Sequence, residues 1–185
     1  FPGRTLISYQ RPVELRKGIV RDGIFNYITS KKKEKCKEEV FFKPEAVREN
    51  CFEDYLLETV RYLIKQGESV LIFFATCGET QKWAKWLASQ LESPAASCAL
   101  KELKKMEETL SRDELRETLG KGIAHYNQNL SWEERNLIET YQKKGEIKII
   151  CATNIMAMGI NIHFKNVIIA LDKIYNDEGN YPPNY

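Results

Sequence analysis

The fold of this 185-residue chain is decided by residues 149–161, which read Ile-Ile-Cys-Ala-Thr-Asn-Ile-Met-Ala-Met-Gly-Ile-Asn. The apolar start of this stretch predicts a buried β-strand over Ile147–Ala152, and the small and polar residues after it predict a loop at the strand's carboxyl end. A second run, Val70–Ala75, is apolar on both faces and predicts a strand in the centre of the sheet. Strands of this kind are covered by helices on both sides, so the two runs indicate a parallel sheet in an α/β domain.

Helical patterns separate the strands. Two stretches have the spacing of a capping box and predict helix starts: Thr76–Glu79 and Ser131–Glu134. The other predicted elements are a helix from Phe52 that stops at Gly67, a charged helix over Leu100–Leu119 with a break near Ser111, and short strands at Ile123–Tyr126 and Val167–Leu171. The alternation of strand and helix predicts a doubly wound sheet with right-handed crossovers.

The N-terminal part of the chain has a different pattern. Short β-like runs at Thr5–Tyr9 and Ile24–Ile28 flank the turn-prone pair Asp22-Gly23, which predicts extended chain or a hairpin. The mixed-charge run Lys31–Glu39 follows and predicts a solvated loop. The chain starts without methionine, from which we expect a piece of a longer protein.

Composition excludes several classes of protein. Hydrophobic residues make up 43% and charged residues 29% of the chain, which is typical of a globular domain. The apolar runs are far shorter than the roughly 20 residues that cross a bilayer, so no membrane segment is predicted. The net charge of +2 does not by itself indicate nucleic-acid binding. Five cysteines without close pairing indicate reduced, buried thiols in an intracellular protein, cytoplasmic or nuclear.

Three polar loops are the candidate site, because ligands of doubly wound sheets bind beyond the carboxyl ends of the strands. They are Thr76–Gly78, Tyr126–Asn129 and Thr153-Asn154. Loops of small and amide residues that lead into helices present N–H groups and hydroxyls, which suit phosphate oxygens. Any one loop alone is as well explained as an ordinary cap or turn. Three of them at one sheet edge favour a phosphate-bearing ligand.

At this point a family resemblance emerges. Val70–Ala84 looks like helicase motif IV, Gly122–Arg135 resembles the element GxAxHHAGL…ER, and Ala152–Asn161 resembles motif V, ATxTLAxGVN. Tyr9–Gly18 looks like the lead-in RPVPLxxG. These motifs, in this order, resemble the Ski-type superfamily 2 DExH-box helicases, in particular the archaeal fork-remodelling and polymerase-theta group.

The resemblance implies a RecA-like three-layer α/β fold, with a mostly parallel sheet and helices on both faces. It also implies that residues 1–30 are the crossover from a first motor domain and that residues 31–185 are the second RecA-like domain, ending before motif VI. The implied activity is ATP-dependent unwinding of nucleic acid, with DNA as the substrate and a 3′ to 5′ direction.

The resemblance further implies roles for individual residues. Contacts to the strand's phosphate backbone fall on Thr76, Cys77, Asn127, Asn129 and Thr153. Gly159 and Asn161 are expected to face the ATP site, while Tyr175 and Tyr181 occupy the place of a strand-separating hairpin. The chain departs from the family where Tyr126–Asn129 replaces His-His-Ala-Gly and Ile162-His163 replaces Leu-Pro. Asn129 is expected to take the left-handed conformation that glycine supplies in the family.

Catalytic motifs are missing from the sequence. It contains neither a GxxxxGK[ST] phosphate loop nor a DExH box, so ATP and Mg²⁺ are expected to bind mainly to the first RecA-like domain. No catalytic residue is assigned, and the chain alone is expected to be inactive. His125 and His163 lack metal-ligand spacing with cysteine, so no metal site is predicted. Of Trp83 and Trp86, one is expected to face the core and the other its rim.

Three alternatives to a DNA helicase remain open from the sequence. The first is an RNA helicase of the same type, because no residue distinguishes contacts to a 2′-hydroxyl from contacts to phosphate. The second is a scaffold that binds nucleic acid without unwinding it. The third, a nucleotide-binding module of unrelated function, disagrees with the order of the motifs.

Overall fold

The computed structural model describes residues 14–29, 36–49, 51–153 and 163–170, together with the backbone of 174–176 and 179–181. The chain divides into two compact units, Phe1–Thr59 and Val60–Tyr185. The helix α1 (Phe52–Lys65) continues across this division. The division expected from the family, between residues 30 and 31, stays a prediction.

The first unit contains an antiparallel three-stranded sheet of β1 (Arg16–Arg21), β2 (Ile24–Thr29) and β3 (Lys37–Val40). Asp22 and Gly23 connect β1 to β2 and have φ angles of 52° and 76°. Positive φ at both central residues is what a tight hairpin turn between twisted strands requires, and Asp-Gly tolerates it. The predicted hairpin is therefore confirmed, whereas Thr5–Tyr9 lies outside the described residues.

The expectation of a solvated loop over Lys31–Glu39 is wrong at its C-terminal end. Residues 37–40 form β3, in which Glu39 pairs with Phe25 of β2. The carboxylate of Glu39 accepts a hydrogen bond from Nη1 of Arg16 at 2.9 Å. This strand is held by backbone pairing and an ion pair, so its sequence lacks the apolar alternation from which strands are usually predicted.

The second unit alternates strands and helices, as the sequence predicts. Gly67 has a φ of +75° and follows α1 as its C-terminal stop. In chain order, the elements after α1 are β4 (Val70–Phe74), α2 (Cys77–Gln90), α3 (Ser97–Leu103), α4 (Leu110–Leu119), β5 (Ile123–Tyr126), α5 (Trp132–Lys143), β6 (Ile149–Thr153), β7 (Asn166–Ile169), β8 (Ile174–Asn176) and β9 (Gly179–Tyr181).

Four of these strands form a parallel sheet in the order β5-β6-β4-β7. Ile149 pairs with Ile123 on one side and with Val70 on the other, so the three strands start level. Because they run in the same direction, their carboxyl ends meet at one edge. The prediction that β4 lies inside the sheet is confirmed.

Helices cover both faces of the sheet. On one face, α3, α4 and α5 pack over a core that contains Leu71, Ala124 and Ile150 of the strands. On the other face, Trp83 of α2 stacks on Phe74 with 5.7 Å between ring centroids. Trp83 is buried and Trp86 is half-buried, which confirms the expected division between core and rim. The layers are those of the expected three-layer α/β fold.

The predicted break in the charged helical stretch is confirmed, whereas the expectation of buried cysteines needs correction. The charged helical stretch is two helices, and the second begins at Leu110 because the Thr109 side chain accepts a hydrogen bond from the backbone N–H of Arg112. The break covers residues 104–109 and ends two residues before Ser111, which confirms the predicted break near that residue. All five cysteines are free, but only Cys151 is buried, because the others lie in loops, in a helix start or beside a strand rather than inside the sheet. Within the described ranges, no helix is long and apolar enough to cross a membrane.

Candidate functional site

The carboxyl edge of the sheet, here the ends of β5, β6 and β4 with the loops that follow them, gathers the predicted site residues. Thr153 ends β6 and pairs in register with Phe74, while Ala152 pairs with Tyr126. Asn127 therefore emerges from β5 at the level of Thr153, and Thr76 follows β4 two residues beyond Phe74. The fold thus places Thr76, Asn127 and Thr153 at the same edge, with β6 between the other two strands, whereas Asn154 lies outside the described residues.

The loop after β4 forms the N-terminus of α2. The hydroxyl of Thr76 accepts a hydrogen bond from the N–H of Glu79 at 3.2 Å and donates to the Glu79 carboxylate at 3.1 Å. This capping box uses the hydroxyl hydrogen of Thr76 and one of its two lone pairs. Cys77 and Gly78 follow in the first turn, where backbone N–H groups have no partner within the helix. A side chain at Gly78 would meet only open space, so a ligand can approach the backbone there.

The loop after β5 is tied to α2 through a buried amide. Asn127 is fully buried, and its Nδ2 donates to Oγ1 of Thr80 at 2.9 Å. The hydroxyl of Thr80 in turn donates to the carbonyl of Cys77 at 2.7 Å. Two of the three loops are thus connected by a short chain of hydrogen bonds, here called the Asn127–Thr80 bridge.

The same amide sets the direction of the loop. Oδ1 of Asn127 accepts a hydrogen bond from the backbone N–H of Asn129 at 3.0 Å, which is an Asx turn. The expectation of a left-handed Asn129 is wrong, since the only non-glycine residue with positive φ in the described part is Asp22. The Asx turn reverses the chain without it. The side chains of Gln128 and Asn129 are left exposed.

Two residues that the sequence did not single out for the site hold this loop in place. Arg135 donates from Nε and Nη2 to the carbonyl of Leu130, at 3.1 and 2.8 Å, and from Nη2 to the carbonyl of Gln128 at 3.1 Å. Glu134 closes the capping box of α5 with Ser131. Both residues match the letters ER at the end of the element that Gly122–Arg135 resembles, which is the signal in the sequence that could have indicated them.

Glu134 also joins the start of α4 to this edge. Its Oε1 accepts hydrogen bonds from the hydroxyls of Thr109 and Ser111, at 3.2 and 2.7 Å. The carboxylate is 3% exposed, so these bonds satisfy a charge that has lost most of its water. The N-termini of α2, α4 and α5 all lie at the carboxyl edge as a result.

Thr153 differs from the other polar residues of the edge. It is 5% exposed, and its hydroxyl forms no hydrogen bond with any part of the chain that the structure describes. A threonine hydroxyl at the end of a strand is a hydrogen-bond donor that a phosphate oxygen can accept. The described part of the fold therefore uses neither the hydroxyl of Thr153 nor the exposed side chain of Asn129.

A buried histidine lies just beneath the edge. Neither ring nitrogen of His125 has a hydrogen-bond partner within the described ranges, and the residue is fully buried. Burial lowers the pKa of His125 to about 4, although Glu114 and Glu134 act in the opposite direction. The imidazole is therefore neutral at pH 7 and acts as part of the core.

The remaining predicted residues are not tested by geometry. Gly159 and Asn161 lie outside the described residues. Tyr175 belongs to β8 and Tyr181 to β9, which pair antiparallel, and the structure describes only their backbone. Their roles at the ATP site and in strand separation stay predictions.

The fold and the edge together define a class of protein. A parallel α/β sheet whose carboxyl edge carries open helix N-termini and short polar loops is typical of domains that bind phosphate-bearing ligands. Comparison with known families narrows this class: residues 52–181 match the family model of the helicase conserved C-terminal domain. The chain belongs to this family.

Curated relatives agree with this assignment. The chain is similar to the ATP-dependent DNA helicase Hel308 of Pyrococcus horikoshii, with 30% identity over 95% of this chain and 23% of that protein. It is also similar to the ATP-dependent DNA helicase MER3 homolog of Oryza sativa subsp. japonica, with 30% identity over 61% of this chain and 10% of that protein. A third relative is the activating signal cointegrator 1 complex subunit 3 of Dictyostelium discoideum, with 28% identity over 70% and 6%. The chain spans about a quarter or less of the length of these relatives.

Proposed function

We propose that this chain is the second motor domain of an ATP-dependent DNA helicase and that its carboxyl edge holds the phosphate backbone of the tracking strand. The observation that carries the proposal is the Asn127–Thr80 bridge, which fixes two polar loops around Thr153 in a chain of the helicase C-terminal family. DNA is favoured as the substrate because relatives such as Hel308 and the MER3 homolog are named ATP-dependent DNA helicases.

The contacts we assign follow from which groups the fold leaves free. The side chains of Thr76 and Asn127 are engaged in internal hydrogen bonds, so they act by placing their neighbours. The direct contacts are the N–H groups of Cys77 and Gly78, the exposed side chain of Asn129 and the hydroxyl of Thr153. Groups that donate only to phosphate carry no information about bases, so we expect binding that is independent of sequence.

Catalysis requires a second domain in this proposal. ATP and Mg²⁺ bind mainly to a first RecA-like domain, which supplies the phosphate loop that this chain lacks. Gly159 and Asn161 face that nucleotide and transmit its state to the strand. Tyr175 and Tyr181 stack on the bases at the fork, where such stacking contributes about 1–3 kcal/mol per base. The chain alone is expected to have no ATPase activity.

The test replaces Thr153 with valine, which keeps the shape of the side chain and removes the hydroxyl. We expect the chain to bind single-stranded DNA less tightly, by roughly tenfold for one lost hydrogen bond to a charged group. In a protein that contains both motor domains, the same substitution should weaken the stimulation of ATPase by DNA. Thr140→Val, near the far end of α5, is the matched control and should change neither property.

The substrate is decided by binding of the two-domain protein to forked DNA and to a forked RNA of the same sequence. Tighter binding and unwinding of DNA support the proposal, whereas a preference for RNA would replace DNA by RNA as the substrate. Binding without ATP-dependent unwinding would support the scaffold alternative. ATP turnover by the isolated chain, stimulated by nucleic acid, would refute the assignment as a second motor domain.

A further inference from the structure

A pocket of about 430 Å³ lies at the amino edge of the parallel sheet, opposite the carboxyl edge. Its walls come from the residues that precede β4, β6 and β7 and from the end of α5. The polar side chains that line it are those of Ser69, Gln142, Lys143, Lys148, His163 and Lys165. Because these residues precede the strands, the pocket lies at the amino edge, and the five-residue strands β4 and β6 separate it from the carboxyl edge by about 16 Å.

The pocket is strongly basic. Three lysines line it, and none of the described residues in its lining carries a carboxylate. Nζ of Lys165 is 3.7 Å from a carboxylate oxygen of Glu68. This ion pair is partly exposed to solvent, so it is weak and neutralises the charge of Lys165 only in part. Lys143 and Lys148 form no ion pair with any residue that the structure describes. Positive charge gathered in a hollow concentrates the electrostatic field there, so the pocket favours an anion.

Gln142 indicates that the ligand also donates a hydrogen bond. Its side-chain Nε2 donates to the carbonyl of His163 at 2.8 Å. The side-chain oxygen Oε1 is buried and has no hydrogen-bond partner within the described ranges. The residue as a whole is 6% exposed. A buried amide oxygen without a donor is rare in native proteins, because it has lost its hydration without compensation. A nucleotide supplies both a phosphate for the lysines and hydroxyl or amino donors for this oxygen.

We propose that this amino-edge pocket binds a nucleotide of a nucleic-acid strand, with its phosphate between Lys143, Lys148 and Lys165 and a sugar or base donor at Gln142. The volume is in the range of pockets that hold small organic ligands, and a lone phosphate would leave most of it unfilled. The pocket goes beyond the proposed function, because none of its residues belongs to the carboxyl edge. It gives the domain a second contact with nucleic acid.

The test compares two double variants that remove the same charge. Lys143→Gln with Lys148→Gln alters the pocket, while Lys101→Gln with Lys104→Gln alters two exposed lysines of α3 and its C-terminus. Each phosphate contact to a single strand changes the slope of log K against log salt concentration by about 0.7. Relative to 1 M salt, one contact therefore raises the affinity at 0.1 M salt by about fivefold. The pocket variant should therefore bind a labelled oligothymidylate about 25-fold more weakly than the unmodified chain, with a shallower salt slope.

Nuclear magnetic resonance identifies the place of binding. When the nitrogen-15-labelled chain is titrated with the same oligonucleotide, the side-chain amide of Gln142 and the backbone amides of residues 143–148 should shift. Inorganic tripolyphosphate, as a competitor, should displace the strand from the lysines without reproducing the shift at Gln142.

Three results would overturn the inference. The first is equal affinity of the pocket and control variants, and the second is an unshifted Gln142 amide at saturating oligonucleotide. The third is binding of tripolyphosphate in the pocket while the oligonucleotide leaves it unchanged, which would make the ligand a free polyphosphate. Thr153→Val separates this contact from the proposed function, because it should weaken strand binding at the carboxyl edge and leave the Gln142 shift intact.

Discussion

Replacing Asn127 with leucine is expected to destabilise the fold and loosen the carboxyl edge at the same time. Leucine has a similar size and shape, so the substitution removes hydrogen bonds without opening a large cavity. The bonds lost are those to Oγ1 of Thr80 at 2.9 Å and from the N–H of Asn129 at 3.0 Å. At about 1 kcal/mol each, and with the Asn129 N–H left unpaired, the free energy of unfolding should fall by about 2–4 kcal/mol.

The measurement is urea unfolding of the chain, followed by circular dichroism and by tryptophan fluorescence. Asn129→Ala is the matched control in the same loop. Its side chain is exposed and only its backbone N–H is used by the Asx turn, so its effect on stability should stay within about 0.5 kcal/mol. Its affinity for single-stranded DNA should nevertheless fall, since we assign a phosphate contact to its side chain.

A double-mutant cycle tests the Asn127–Thr80 bridge itself. Thr80→Val removes the hydroxyl that Asn127 contacts, so the two single changes remove the same bond. The double variant should therefore be less destabilised than the sum of the two, by about 1 kcal/mol. Strict additivity, or a stable Asn127→Leu variant that binds DNA as the unmodified chain does, would refute the reasoning that this bridge organises the edge.

Three further predictions concern other parts of the second unit. Burial lowers the pKa of His125 from 6.5 to about 4, so between these pH values the unfolded chain binds a proton that the folded chain does not. The contribution of His125 to the free energy of unfolding should therefore be fully present above pH 6.5 and decrease as the pH falls towards 4. In urea titrations, His125→Phe should reduce the difference between the free energies of unfolding at pH 7 and pH 4 by about 3 kcal/mol. An unchanged difference would contradict the argument. Gly145→Ala should destabilise the chain by about 1–2 kcal/mol because its φ is +80°, whereas Gly78→Ala, in the first turn of α2, should be neutral or slightly stabilising by thermal unfolding. Arg135→Gln should speed amide hydrogen exchange in residues 128–130, since the guanidinium holds two carbonyls of this loop; equal exchange rates would show that the loop is held by other contacts.

The sequence predicted most of the second unit, because its elements follow strong local rules. Val70–Phe74 is apolar on both faces, and Thr76 and Ser131 each begin a helix with a capping box that the structure confirms. Gly67, the predicted stop of α1, has a positive φ, and Gly145 after α5 has one as well. These features depend on neighbours in the sequence, so they are visible without a structure.

Features that depend on distant residues could not be predicted in the same way. The strand β3 is charged, and it is a strand because β2 pairs with it. The Asn127–Thr80 bridge joins residues 47 positions apart, and no periodicity links the two side chains. The Asx turn of Asn127 replaced an expected left-handed Asn129, since two conformations can close the same loop and only the partner of the amide decides between them.

Several polar side chains of the carboxyl edge form hydrogen bonds within the chain. A polar residue in a helicase motif is therefore not necessarily one that contacts the strand directly. Thr76 is closed in a capping box, Asn127 is buried, and Glu134 is shared between two helices. Under the proposed function we expect these residues to act indirectly, by positioning the backbone N–H groups that contact the strand. A strand held by such groups can be gripped at any phosphate and released without reference to its bases, which a motor that moves along nucleic acid requires. Thr153 is 5% exposed, and its hydroxyl forms no hydrogen bond with the described residues. We therefore expect Thr153→Val to lower affinity for the strand and to leave the free energy of unfolding unchanged.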